Sequence, residues 1–360
     1  MPPQSVSLDA RMPDGDIAIG LVGAGHIARL IHLPVLVGLP GVQVAAVADP
    51  DPDALAAAGA LATAARHYKD LREMSDGAAL DAVVVCSPSG AHAEIAAAAF
   101  ATGWSVYLEK PIATTLEDGL AVVAARERSN AVAMTSFMLR FSPAFMRARE
   151  LIAAAAIGEI VGAQSVFTSP PRDAPGWRGA RSSGGGALLD LLSHHADLTR
   201  WLFDSEVVSV SARVRSVRTE DDTAWATMVT ASGVTVQSFV STNAAEDHRF
   251  EIVGTAGRMT IDPWRMGAPE RFGVAGGAAR LDRIRRLTPA RLLHRPDYHE
   301  PFRGALAAFV DGVRRRSSPH PDLLDGLASL AIVDAAERAA RSGEQAQVAD
   351  ATALGPVRDS

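Results

Sequence analysis

The chain has 360 residues and a mass of 37.7 kDa, with 48% hydrophobic and 21% charged residues; that balance excludes fibrous, disordered and disulfide-scaffold proteins and predicts about two domains. Its 35 Lys and Arg against 41 Asp and Glu leave a net charge of −6, which does not suit non-specific nucleic-acid binding, since that takes a large basic footprint. The lone cysteine, Cys86, cannot close an internal disulfide, which fits a reducing compartment.

Residues 1–15 are rich in Pro, Ser and Asp, which predicts a disordered tail. They carry neither an apolar signal core nor a twin arginine, and no apolar run in the chain approaches the ~20 residues that span a bilayer. The expectation is a cytoplasmic chain with no membrane partner. Strands are predicted at 17–23, 42–48, 82–86, 105–109 and 131–136. Each is a near-continuous hydrophobic run, as parallel strands buried on both faces require. Helical patterns lie between them at roughly 27–37, 52–64, 92–102 and 116–128, and the alternation predicts a doubly wound parallel sheet. Cys86 falls at a strand end, where packing is its expected role.

After about Met138 the rhythm changes. Helices are predicted at 143–156 and 186–202, strands with turn signals at 207–217, 224–230, 234–242, 249–255 and 258–262, and helices again at 301–316 and 323–341. This pattern describes an α+β domain on a largely antiparallel open sheet. The predicted organisation is an N-terminal doubly wound domain over 16–138 and a C-terminal domain over 139–360, closely packed with a cleft between them.

Gly23-Ala24-Gly25-His26-Ile27-Ala28 joins the first strand to the first helix and matches G-x-G-x-x-G/A. Gly23 permits the tight turn, Gly25 lets a pyrophosphate approach the backbone, and small Ala28 lets helix and strand pack closely. The helix N-terminus supplies N–H groups and positive partial charge to the phosphates. Asp49 ends the second strand, 21 residues after Ala28. A carboxylate there can accept hydrogen bonds from ribose hydroxyls and repels a 2′-phosphate. The reading is a Rossmann domain that binds NAD, with NADP as a possible second cofactor; the alternative for Asp49 is a cap on the following helix. Gly23, Gly25, His26, Ile27, Ala28 and Asp49 are the candidate cofactor residues here.

Further motifs follow in order: SPSGAHAEIA from Ser87, Glu109-Lys110-Pro111, FMLRFSPAF from Phe137, GWR at 176–178, GGGALLDLLSHHADLTRWLF from Gly184, IVGTAG from Ile252 and LASLAIVDAAERAARSG from Leu327. Together they resemble the Gfo/Idh/MocA oxidoreductases over about 17–348. The resemblance implies catalytic positions at Lys110, Asp190 and His194, with His194 as acid/base. It implies cofactor contacts at Ser87, Pro88, His92, Glu109 and Lys110, and a Lys110–Pro111 bond that can be cis. It also implies a substrate-binding and oligomerising second domain whose open sheet joins a homodimer or homotetramer.

The residues themselves support this chemistry. Lys110 sits at a strand's C-terminal end, beside the nucleotide crevice of such a sheet. Asp190 and His194, four apart on a predicted helix, share one face, where a carboxylate can orient an imidazole. As hydride leaves an alcohol carbon, the hydroxyl proton needs a base, and His titrates near neutrality. A nearby ammonium favours alkoxide character on the oxygen. His195 is rotated by about 100° from His194 and is read as structural, as is Asp197. Arg140 and Arg178 bind substrate oxygens or form interdomain salt bridges; both readings stand. His92 opens a helix and either contacts the cofactor or only caps the loop.

No metal is expected, because the histidines are scattered and no Cys cluster occurs. The expected activity is hydride transfer between a nicotinamide cofactor and a secondary alcohol or ketone of a sugar, cyclitol or sugar derivative. Two relatives' activities stand as alternatives: a redox-neutral, NAD-dependent glycosidase, and a dinucleotide-binding regulator without catalysis. A basic stretch, 280–295, carries six arginines and reads as a solvated segment or as a contact for a phosphorylated substrate or a partner subunit.

Overall fold

The computed structural model describes residues 15–171, 176–262, 270–273 and 298–350. The tail expected at 1–15 lies outside them apart from Gly15, and so does the basic stretch 280–295.

The first half builds a six-stranded sheet from β1 (Ile17–Val22), β2 (Val42–Ala48), β3 (Arg66–Tyr68), β4 (Ala82–Val85), β5 (Ser105–Leu108) and β6 (Ala133–Thr135). Its order is β3-β2-β1-β4-β5-β6 and its pairs are parallel, with Leu21 opposite both Val47 and Val84. The apolar runs form strands here because β4 and β5 are buried along their whole length. Polar Arg66-His67-Tyr68 gives no hydrophobic run, so β3 is unpredicted; it is held by pairing to β2. The covering helices are α1 (Leu33–Val37), α2 (Pro52–Gly59), α3 (Leu71–Gly77), α4 (His92–Ala101) and α5 (Leu116–Glu127). A π-type turn, Ala28–His32, precedes α1. Asp51, Asp70 and Thr115 cap α2, α3 and α5 through their side-chain oxygens, satisfying helix N–H groups that would otherwise lack partners.

After a short turn, Met138–Phe141, the chain forms α6 (Pro143–Ala153), β7 (Ile160–Thr168), a π-type turn at Leu188–Leu192 and α7 (Ser193–Phe203). Then come β8 (Val207–Arg215), β9 (Thr223–Thr230), β10 (Thr235–Ser241), β11 (Asp247–Gly254), β12 (Gly257–Ile261) and β13 (Glu270–Gly273). The last elements are α8 (Glu300–Arg315), α9 (Leu323–Ser342) and β14 (Ala346–Gln347). The second sheet has the order β13-β12-β11-β7-β10-β9-β8-β14. It is antiparallel except where β10 runs parallel to β7. β7 is a central strand the sequence reading missed. Gly162, Gln164 and Ser165 break its apolar pattern, so neither alternation nor a hydrophobic run marks it.

One helix places the halves against each other, and a buried ion cluster in the second half holds that helix. Helix α9 opens with a reciprocal capping box between Asp322 and Asp325 and packs on both α5 and β6 of the first half and α7 and β8 of the second. Arg140, in the turn after β6, donates through Nε to Asp197 Oδ2 at 2.9 Å and through Nη2 to Asp197 Oδ1 at 2.6 Å and Asp325 Oδ1 at 2.9 Å. The turn, α7 and α9 are therefore tied at one buried point. Burial pushes the Asp197 carboxyl up to about 6 against the pull of Arg140, while Arg140 and other donors outweigh burial at Asp325 and bring it to about 2.

Candidate active site

A cleft of roughly 1110 Å³ runs from the glycine turn to α7, lined by residues of both halves. Gly23 has φ +92°, and a Cβ there would lie 2.5 Å from Ser87 N and 2.7 Å from Cys86 C; only glycine tolerates both. Gly25 faces open space, with nothing within 4 Å of an added Cβ. The turn therefore has the bare backbone that a pyrophosphate needs. Ala28 is fully buried and does not line the cleft, in keeping with a packing role. His26 and Ile27 line it. Ser87 Oγ is buried without a hydrogen-bond partner beside the same turn, an orphaned polar atom that a bound nucleotide would satisfy. These residues fit a dinucleotide. Gly23→Ala is expected to lose both stability, by at least 1 kcal/mol or so, and NAD affinity; thermal unfolding and cofactor titration check it.

Asp49 lines the far end and accepts from Ala24 N at 2.7 Å and Asp51 N at 2.9 Å. It braces the glycine turn from behind, and Asp51 is the helix cap. An ionised carboxylate has about four acceptor sites, so Asp49 keeps capacity for a ribose. Lys69 and Arg72, after β3, line that end too, and the unpredicted strand explains why the sequence reading missed them.

His92 is wedged between two loops, with Nδ1 2.7 Å from Pro111 O and Nε2 2.9 Å from Ser87 O. Both partners are acceptors and burial favours the neutral ring, so its one N–H donates to one of the two carbonyls while the ring stays wedged between the Ser87-Pro88 loop and the cis Lys110–Pro111 segment. Glu109 Oε1 accepts from His32 Nε2 at 2.8 Å and Ser136 Oγ at 2.7 Å. His32 and Ser136 were not foreseen, because their partner lies 77 and 27 residues away.

Lys110 Nζ donates to Asp190 O at 2.6 Å and Asp190 Oδ1 at 2.8 Å, across 80 residues of sequence. Arg178 Nε donates to Asp190 Oδ2 at 3.3 Å while its guanidinium stacks 4.1 Å over Trp177. Gly185 makes this possible, since a Cβ there would collide with the Arg178 carbonyl. Burial pushes the Asp190 carboxyl up, but Lys110 and Arg178 outweigh it and hold it well below the usual carboxylate range. The predicted helix begins instead as the π-type turn that carries Asp190. Asp190 therefore spends its carboxylate hydrogen bonds on Lys110 and Arg178; none joins it to His194, though its charge still acts on that imidazole.

His194 lines the cleft in the first turn of α7, its ring 5.5 Å from that of Phe167 on β7. Burial first, then the Lys110 charge, push its imidazole well below the ordinary value, so it is neutral at neutral pH. His195 points elsewhere: Nδ1 meets Ser165 Oγ at 2.9 Å and the ring packs edge-on against Phe250. Arg140 does not line the cleft, because Asp197 and Asp325 consume its guanidinium; its reading as a substrate ligand gives way to the salt bridge. Among the described residues, His320, Asp322 and Asp325 place possible metal-ligating atoms within 4.8 Å of one another. Arg140 and Arg200 already bind Asp325 there, and the cluster is not part of the cleft lining.

A parallel sheet with its nucleotide turn, whose own Lys110 meets an Asp and a His from a second domain, defines a nicotinamide-dependent oxidoreductase. Residues 17–137 match the oxidoreductase family with an NAD-binding Rossmann fold, and residues 145–260 match the GFO/IDH/MocA C-terminal domain. The chain belongs to the Gfo/Idh/MocA family. It is 32% identical over 344 residues to inositol 2-dehydrogenase 3 of Saccharopolyspora erythraea, covering 93% of this chain and 95% of that one. It is 29% identical over 345 residues to the inositol 2-dehydrogenase of Rhizobium meliloti, covering 92% and 99%. The WlbA dehydrogenase of Bordetella pertussis, solved in complex with NADH and UDP-GlcNAcA, superposes with a TM-score of 0.81 at 25% identity, over 94% of this chain and 100% of that one.

Proposed function

We propose that this protein oxidises a secondary alcohol of a cyclitol or closely related sugar, with NAD as the hydride acceptor. The observation that carries the reading is the meeting of Lys110, Asp190 and His194 at the end of the cleft that begins at the Gly23 turn. Bound NAD supplies the acceptor for the hydride. Lys110 Nζ donates a hydrogen bond to the substrate oxygen and favours developing alkoxide. Asp190 holds that ammonium in place and balances its charge. His194, neutral because of its burial, takes the hydroxyl proton. Arg178 and Trp177 bind the substrate's remaining oxygens from the cleft wall.

The test is purified protein with NAD, or NADP in parallel, and a panel of inositols and sugars, read at the reduced-nicotinamide band. Reduction of NAD by at least one polyol is expected, with NADP weaker because of Asp49. Release of sugar without net NADH would favour the glycosidase, and cofactor binding without turnover the regulator. Because His194 is held low, the acid limb of kcat/KM is expected well below pH ~6.5, the ordinary histidine value. An acid limb at the ordinary value would remove His194 as the base.

The same reading includes a cytoplasmic homo-oligomer. Among the described residues no helix is long and apolar enough to cross a membrane. The second sheet exposes Trp225, its ring 5.2 Å from that of half-buried Phe239 on the next strand, an apolar patch of the kind that subunits cover. Sedimentation is expected to show a dimer or tetramer, and Trp225→Glu a smaller species; a monomeric wild type overturns the assignment.

A further inference from the structure

Residues 176–186 belong to the second half but dock on the first, beside the cofactor loop. A Cβ on Gly90 would stand 3.3 Å from Ser183 O, and a Cβ on Gly184 would lie 2.8 Å from Ser89 Cβ. Ser89 and Gly90 directly follow Ser87-Pro88, which lines the nucleotide cleft. From the same segment Trp177 and Arg178 reach the cleft at its Lys110 and Asp190 end. One wall of the cleft is thus built by one half and rests on the other.

Polar contacts hold this wall down. None of residues 176–183 is buried, so they bring the core little of the burial that resists local opening. The segment is folded on itself: Ser183 Oγ donates to Trp177 O at 2.5 Å, and Gly185 N to Ala180 O at 2.9 Å. Glycines with positive φ stand at its two ends, Gly176 at +56° and Gly186 at +91°. Such end positions absorb the backbone change of a hinge. Among the described residues one hydrogen bond ties the segment to the first half. Arg181 Nη2 donates to Thr114 O at 3.0 Å, in the loop that follows Lys110-Pro111. Arg181 Nε donates to Glu337 Oε1 on α9 at 2.5 Å, which aims the guanidinium at Thr114.

The glycine turn takes the pyrophosphate and Asp49 marks the adenosine end. The nicotinamide half of NAD therefore runs the other way, over Ser87 toward Lys110 and His194, past Trp177 and Arg178.

We propose that residues 176–186 form a strap that lies over the nicotinamide half of the cofactor and must lift for the cofactor to leave, with Arg181 as its latch. This rests on the dehydrogenase reading and adds to it the step that times cofactor exchange. Arg181 does not line the cleft, so its part is to hold the strap and not to take part in the chemistry.

The rate of NADH release tests it. Stopped-flow displacement of bound NADH by excess NAD, read by nicotinamide fluorescence, gives koff without turnover. The variants are Arg181→Met, Glu337→Gln and Arg341→Gln, each checked for folding by thermal unfolding. Arg181→Met removes the bond to Thr114 and should raise koff by about tenfold, the scale of one hydrogen bond to a charged group. Glu337 keeps Arg341 as a partner, so this variant should fold. Glu337→Gln frees the guanidinium from the other side and should raise koff by about threefold; it carries the test should the methionine variant not fold. Arg341→Gln removes the second cation on Glu337, 3.7 Å away, without touching the strap, and should leave koff within about twofold. An unchanged koff in the latch variants, or an equal rise in Arg341→Gln, overturns the proposal. A wild type that binds no NADH overturns the dehydrogenase reading, and the strap with it.

Discussion

Lys110→Ala is expected to lower kcat by about 10²–10³, the usual cost of removing one donor to a developing oxyanion. KM for the alcohol should change far less, because the hydrogen bond strengthens as the oxygen gains charge. NAD binding should persist, since the glycine turn and Asp49 do not depend on the ammonium. Asp190 keeps Arg178 as a partner, so the variant does not strand a buried carboxylate and should fold. Steady-state kinetics with NADH titration by fluorescence checks both halves. Turnover within tenfold of the wild type would remove Lys110 from the reaction.

Arg140→Met is expected to destabilise the protein by about 3–5 kcal/mol, the cost of breaking a buried ion pair from one side. The arginine side chain is 9% exposed and Asp197 is 1% exposed, so water cannot replace the lost donors. Asp197 sits in α7, three residues past His194, and Asp325 opens α9. Loosening them should therefore also slow turnover. For a cooperative chain of this size the melting temperature should fall by about 5 °C. The double variant Arg140→Met with Asp197→Leu should recover part of that loss, because an apolar pair leaves no charge unanswered. Calorimetry on the single and double variants measures the difference. A single variant as stable as the wild type would show that the tie between α7, α9 and the Met138–Phe141 turn is dispensable.

The parts of this protein that a reader of the chain alone could find are those written in adjacent residues. The apolar runs of β1, β2, β4 and β5 announce a sheet buried on both faces, and Gly23-Ala24-Gly25 announces the turn because a tight approach needs the missing Cβ. Lys110, Asp190 and His194 were found through the motifs around them. What could not be read is how they pair. The helix expected from Gly186 opens as a π-type turn, so Asp190 reaches across to Lys110 and Arg178 and leaves His194 to stack on Phe167.

The same limit hid β7, where Gln164 is exposed and the buried Ser165 hydroxyl meets His195 and Ser238, 30 and 73 residues away. It also hid the pairing of His32 with Glu109 and the fate of Arg140. Turn chemistry and strand periodicity are local, set by each residue's own backbone preferences and its near neighbours, and the sequence by itself determined them. Apart from Arg178 and Asp190, 12 residues apart, the site's buried salt-bridge contacts join groups 57 to 185 residues apart. Only packing in three dimensions brings those groups within reach, so the tertiary structure alone decided the electrostatics of the site.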